Sequence, residues 1–267
     1  MDIHSPRSLD EALALRAAHP EAVIISGGTD IMVQMNFRRL RPAAMLNLAE
    51  VPELRGWSLD GDVVRIGAAL TYTELQAPDL ARLLPALAEA ARSVGSPQIR
   101  NRGTIGGNLG TASPAGDALP PLLVNGAEVE LASVRGRRSV PLKSFLLGPR
   151  RNGLAADEII TAVTAGTGGR QTFLKVGPRN AMVISVVSLA IRIDEAKGTV
   201  RGAFGSAAPT AILLEEPLGQ EDGFPDRLAA AAAPIDDIRG TAAYRRHALG
   251  ILARRALARL RSGDQTC

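Results

Sequence analysis

The sequence is poor in the side chains that usually hold metals. Its 267 residues include one cysteine, Cys267, at the last position. A lone thiol excludes an internal disulfide, a cysteine-ligated iron–sulfur cluster and a cysteine-built zinc site. The three histidines, His4, His19 and His247, are isolated, so no two imidazoles share a helix face in the spacing a metal needs. Any redox metal that works with this chain is therefore expected on another polypeptide. Lysine is almost absent: Lys143, Lys175 and Lys197 stand against 28 arginines. No lysine directly follows a glycine, which excludes a P-loop, and no G-x-G-x-x-G run is present, which excludes the usual dinucleotide fingerprint. Aromatic residues make up 3% of the chain and the net charge is +4, too small a surplus for a dedicated nucleic-acid binder. The longest apolar stretch, 181–191, is interrupted by Ser185 and Ser188 and is too short to span a bilayer. The first residues carry no basic, then apolar, leader pattern, so the expected compartment is the cytoplasm, away from membranes.

What remains is an ordinary globular composition, 46% hydrophobic and 22% charged. Ser8-Leu9-Asp10-Glu11 has the form of a capping box opening a helix to about His19, closed by Pro20. The apolar run 22–26 reads as a buried strand, followed by Gly27-Gly28-Thr29-Asp30 and a second helical start at 31–35. Further strands are expected at 45–48, 63–66, 128–133 and 138–140, and a helix over 80–94 on a 3.6-residue apolar period. The glycines at 166, 168 and 169 suggest a domain boundary. Beyond it, 172–176, 184–193 and 199–206 read as strands of a sheet, and 241–261 as a terminal helix.

Two glycine clusters carry the chemistry. The first, at 27–28, lies between a strand and a helix, where free backbone N–H groups favour an anion. The second lies in the small-residue stretch 95–117, which reads as a long loop able to approach a ligand closely. Asp117 closes that stretch, either as an acceptor for ligand hydroxyls or as the N-cap of a helix over 118–124.

Three groups of residues together resemble the FAD-binding subunit of the xanthine dehydrogenase family of molybdenum hydroxylases. They are Gly27-Gly28-Thr29-Asp30, then Gln98-Ile99-Arg100-Asn101-x-Gly103-Thr104-Ile105-Gly106-Gly107-Asn108, and Ala112-Ser113-Pro114-x-x-Asp117. Phe173-Leu174-Lys175-Val176 resembles the strand opening the family's C-terminal domain, and Asp236-Asp237-Ile238-Arg239-Gly240-Thr241 its late signature. The resemblance spans essentially the whole chain. It implies an α+β fold. A two-part FAD-binding region of the PCMH (vanillyl-alcohol-oxidase) type, residues 1–166 with parts at about 1–57 and 58–166, precedes a smaller α+β domain at 170–267.

Carried over, Ile24, Ile25, Ser26, Gly27, Gly28, Thr29, Asp30 and Ile31 would hold the FAD diphosphate, with Thr104, Gly107, Asn108 and Thr111 completing the cradle as a second turn. Asp117 would bind FAD hydroxyls, Val94 and Leu154 would pack near the flavin, and Lys175 would lie near the isoalloxazine. The resemblance further implies non-covalent FAD, with no histidine in either cluster to form a covalent link. Molybdopterin would belong to a large partner subunit and [2Fe-2S] clusters to a small one, in a dimer of heterotrimers. Electrons would leave to NAD+ or another acceptor, and the substrate expected first is a purine. A free-standing FAD-dependent oxidoreductase and a scaffold subunit that has lost FAD are the alternatives. The chain departs from many relatives after Arg179, where Ala181-Met182-Val183 replaces an acidic residue, and it lacks the cysteine-bearing insertion of the benzoyl-CoA reductase branch.

The segment 238–263 holds seven arginines and no acid, with Leu249, Ile251, Leu252, Ala256, Leu257 and Leu260 on one helical face. A solvated cationic face is the expected reading and docking to a partner subunit the alternative; nucleic acid is disfavoured, because Tyr244 alone could stack on a base. Substituting Gly107→Asp is expected to abolish FAD retention in a folded protein, checked by the flavin absorbance of the purified variant.

Overall fold

The computed structural model describes residues 1–262, so Cys267 and Gly263 lie outside the described residues. The first unit is a three-stranded parallel sheet. β1 (Asp2–His4) leads into α1 (Leu9–Ala18), then β2 (Val23–Ile25), α2 (Ile31–Asn36) and β3 (Ala44–Asn47), in the order β1-β3-β2. Helix α1 starts where expected: the Ser8 side chain accepts from Glu11 N at 3.2 Å, while Glu11 Oε2 accepts from Arg7 N at 2.8 Å. Its apolar residues Leu9, Ala12 and Leu13 bury against Leu46 and Leu48.

The middle of the chain begins with β4 (Trp57–Asp60) and β5 (Val63–Gly67). A run of helices follows: α3 (Pro78–Leu83), α4 (Pro85–Ser93), α5 (Pro97–Arg100), α6 (Ile105–Thr111) and α7 (Leu119–Val124). Then come β6 (Glu128–Ser133), β7 (Gly136–Pro141), α8 (Leu142–Phe145), the small hairpin β8 (Leu146–Gly148) and β9 (Arg151–Asn152), and β10 (Ile159–Gly166). The five long strands form an antiparallel sheet ordered β4-β5-β10-β6-β7.

Two expectations are corrected here. The helix expected over 80–94 is two helices, because Pro85 lacks the N–H that a continuous helix needs and Leu84 turns out of helical geometry. The stretch 95–117 is not a long loop: α5 and α6 occupy much of it, each started by a hydroxyl cap, Ser96 and Thr104.

The last unit is the meander β11 (Arg170–Val176), β12 (Val187–Asp194), β13 (Thr199–Gly205) and β14 (Ile212–Pro217), followed by α9 (Phe224–Ala231) and α10 (Ala242–Ser262). Strand β12 starts at Val187 rather than residue 184. One face of this sheet, through Leu189, Ile191 and Phe204, buries against α9 and α10; the other, through Phe173, Ala190 and Ala203, joins the core of the middle unit. Both faces are covered, so β12 is buried along its whole length.

Polar side chains fix the orientation. Glu89 on α4 accepts from Phe173 N at 2.6 Å, Thr172 Oγ1 at 3.0 Å and Arg259 of α10 at 2.7 Å. Arg192 reaches Asn125 at 3.0 Å and Thr167 O at 2.7 Å across the 166–169 connector. The late signature is a structural clasp: Arg245, 1% exposed, donates to Val186 O, Ser206 O and Asp237. Arg239 and Arg245 pull the Asp237 carboxyl down to about 2, Arg239 contributing more. Glu89→Ala is expected to lower unfolding free energy by about 1–3 kcal/mol, since it takes the acceptor from the Phe173 N–H and the Thr172 hydroxyl together. Urea unfolding of the variant beside the parent checks this.

Candidate functional site

The loop between β2 and α2 lies at the carboxyl end of a parallel strand, where open α/β sheets place their ligands. Ile25 is the last residue of β2, and Gly28 takes φ +77°, a left-handed conformation that suits glycine. The N–H groups of Gly27, Gly28, Thr29, Asp30 and Ile31 meet no acceptor among the described residues. Such a run of open donors is an anion cradle.

Helix α6 faces this loop. Gly27 lies so close to it that an added Cβ would stand 1.8 Å from Arg102 O. Thr104 Oγ1 donates to Ser26 Oγ at 3.4 Å and accepts from Gly107 N at 3.0 Å. The second cluster is therefore a helix start rather than a second turn. Its donors are already engaged: Ile105 N on Leu70 O at 2.9 Å, Gly106 N on Ala68 O at 2.8 Å, and Asn108 N on Thr104 O at 3.0 Å. Gly106 is small because it packs on Ala68, where an added Cβ would approach to 2.7 Å. This side thus offers side chains to a ligand, with Thr104, Asn108 and Thr111 in its wall, whereas the loop offers main chain.

Between the two lies a cavity of about 580 Å³, within the usual span of roughly 300–1,000 Å³ for small-molecule sites. Fourteen of the sixteen residues expected to hold the cofactor line it: Ile24, Ile25, Ser26, Gly27, Gly28, Thr29, Asp30, Ile31, Val94, Thr104, Gly107, Asn108, Thr111 and Leu154. Asp117 and Lys175 do not; they pair with each other outside it, Asp117 next in sequence to the lining residue Gly116. There Lys175 Nζ donates to Asp117 Oδ2 at 2.5 Å and to Ser93 O at 3.1 Å, and both side chains are buried. The N-cap role considered for Asp117 is not taken, since Ala118 starts α7 without a side-chain cap. Burial raises the Asp117 carboxyl above its ordinary value, outweighing the attraction of Lys175. Its Oδ1 and the Asn108 Oδ1 are buried without a partner among the described residues.

The wall also holds residues that the sequence patterns did not mark: Tyr72, Ile160, Arg16 and Arg150. Tyr72 is one of two tyrosines, and burial pushes its phenol above the usual value. Ile160 sits in β10, whose inward-facing residues give no separate binding signal.

Residues 1–165 match the family described as "FAD binding domain in molybdopterin dehydrogenase". The chain belongs to this family. It is 34% identical over 270 residues to the nicotine 6-hydroxylase medium subunit of Paenarthrobacter nicotinovorans, covering 95% of this chain and 94% of that protein. It is 37% identical over 218 residues to the xanthine dehydrogenase FAD-binding subunit of Escherichia coli O157:H7, covering 78% and 75% of the two chains. Among solved structures it resembles carbon monoxide dehydrogenase from Hydrogenophaga pseudoflava, with a TM-score of 0.89, 30% identity and coverage of 97% and 96%.

The protein is an FAD-binding oxidoreductase subunit of the molybdenum hydroxylase family, with the α+β fold expected of it. The cavity fits FAD on its own evidence. Open N–H donors suit a diphosphate, and the side-chain-free crossing at Gly27 holds the loop directly opposite the hydroxyls and amide of α6.

Removing one partner of the buried pair is costly. Lys175→Met is expected to lose about 3–5 kcal/mol of stability at pH 7. Without the cation the folded-state pKa of Asp117 rises further above its unfolded value, so the folded form binds a proton more readily. The stability deficit should shrink as pH falls through that folded pKa, seen by comparing urea unfolding at pH 7 and pH 5.

Proposed function

We propose that this chain is the electron-accepting flavoprotein of a heteromeric molybdenum hydroxylase. Its partners are a large molybdopterin-binding subunit and a small [2Fe-2S] subunit, assembled as a dimer of heterotrimers. The observation that carries this reading is the make-up of the cavity wall. It offers main-chain donors, hydroxyls, amides and apolar surface, with no histidine, cysteine or lysine, and the carboxylate of Asp30 is already engaged by Arg150 and Gln34. A wall of this kind holds a cofactor and leaves the substrate's chemistry to another chain. Bound FAD supplies an acceptor for electrons arriving from the [2Fe-2S] subunit and a donor to NAD+ or another acceptor.

The residues divide the work. The main chain of 27–31 binds the diphosphate, and Thr104, Asn108 and Thr111 orient it from α6. Val94, Leu154 and Ile160 exclude water from the ring system. Lys175 holds its charge outside the cavity on Asp117, and its second bond, to Ser93 O, steadies the end of α4 next to Val94. Residues 1–166 form the FAD-binding region, with parts at about 1–57 and 58–166, and 170–267 the C-terminal domain. The cytoplasm is the working compartment; no helix among the described residues is long and apolar enough to cross a membrane. Relatives of this chain are named for xanthine, nicotine and carbon monoxide. That spread supports a substrate choice made on the molybdopterin subunit, with a purine as the first to try.

Absorbance of the purified chain, followed by acid release and assay of the supernatant, should give about one FAD per chain, in line with one cofactor held between the loop and α6. A folded, colourless protein that takes up no added FAD would refute the reading. Purification from its native host should bring molybdenum and iron with it.

A further inference from the structure

The diphosphate loop contains an electrostatic contradiction. Asp30 carries a carboxylate beside the open N–H groups of Gly27, Gly28 and Thr29, where a diphosphate would place two more negative charges. Like charges at such range repel, so the loop needs a counter-ion. Glycine turns alone do not provide one, and no lysine lines the cavity.

The structure supplies an arginine from far along the chain. Arg150 NH2 stands 2.8 Å from Asp30 Oδ2 and NH1 3.5 Å from Oδ1, a two-pronged contact between residues 120 apart in sequence. Both side chains line the cavity and both are half-exposed, which puts the pair on its rim. Gln34, one turn along α2, also donates to Asp30 Oδ2, the oxygen that Arg150 NH2 contacts.

The backbone at Arg150 is held for this contact. Its φ is +57°, a left-handed conformation uncommon for a residue with a side chain. Arg150 N donates to Ala112 O at 3.0 Å, and Asn152 Nδ2 to Gly110 O at 2.7 Å, so the β8–β9 hairpin is pinned to the end of α6. Strain of this kind persists where surrounding contacts over-determine it, and such places cluster at ligand clamps.

We propose that Arg150 is a positioning residue for FAD: it neutralises Asp30, so that the loop accepts the diphosphate, and it joins the two walls over the cofactor. This rests on the FAD reading above. Arg150 acts through Asp30, and its loss leaves an unpaired carboxylate facing the phosphates.

The test is the rate of FAD release from the purified flavoprotein, followed by the rise in flavin fluorescence on dilution. Arg150→Ala should release FAD about fivefold faster at low salt, the scale of a half-exposed ion pair. The difference should shrink at 0.5 M NaCl as screening weakens the charges. The double variant Arg150→Ala/Asp30→Asn should release FAD more slowly than Arg150→Ala alone, because the stranded carboxylate is gone. Thermal unfolding of the FAD-free proteins reports whether each variant folds. A release rate unchanged in Arg150→Ala, or a double variant no slower than the single one, overturns the proposal. Failure of the parent protein to bind FAD at all would instead overturn the broader reading.

Discussion

The site depends on one close crossing of main chain. Gly27 lies against the carbonyl of Arg102 with no room for a Cβ. At that crossing the loop of a parallel sheet meets the entry to α6, and Thr104 fastens the two through Ser26. The contact brings the open donors of one segment opposite the hydroxyls and amide of the other. Any side chain at position 27 would force the walls apart, and the cavity with them. The polar chemistry of the site is thus decided by packing, through an atom that is absent.

The second constraint is the attachment of the C-terminal sheet. Strand β11 meets α4 and the segment before α7 through charged groups as well as apolar ones: Glu89 binds its main chain, and Lys175 reaches across to Asp117 and Ser93. Buried charges are costly unless paired, so these contacts specify one docking geometry rather than simply adding stability. Because Ser93 ends α4 and the next residue, Val94, lines the cavity, the sheet position and the shape of the cavity are coupled through the same few residues.

Much of this was legible in the sequence, for identifiable reasons. The capping box at Ser8, the glycine turn after β2 and the small-residue run before Asp117 each impose local geometry that survives folding. Fourteen of the residues expected to hold the cofactor line one cavity, because motifs of that length encode backbone shape directly. The failures have physical causes too. The period over 80–94 hid a break, since Pro85 satisfies an apolar pattern while interrupting the hydrogen bonds. The glycines at 106 and 107 suggested a turn, but they belong to a helix packed tightly on Ala68. Strand β10, buried on both faces, shows no alternation to mark it. Arg150 and Tyr72 gave no signal, because their partners lie far away in sequence and only the fold brings them together.

The cavity wall is assembled from segments that begin near residue 16 and end at residue 160, drawn from both the parallel and the antiparallel sheet. A ligand gripped by so many separated pieces exists only for the folded chain, so its binding free energy adds to the stability of the fold. At a free ligand concentration a hundred times Kd, that linkage amounts to about 2.7 kcal/mol. Any ligand seated there is therefore also a mortar between the two sheets.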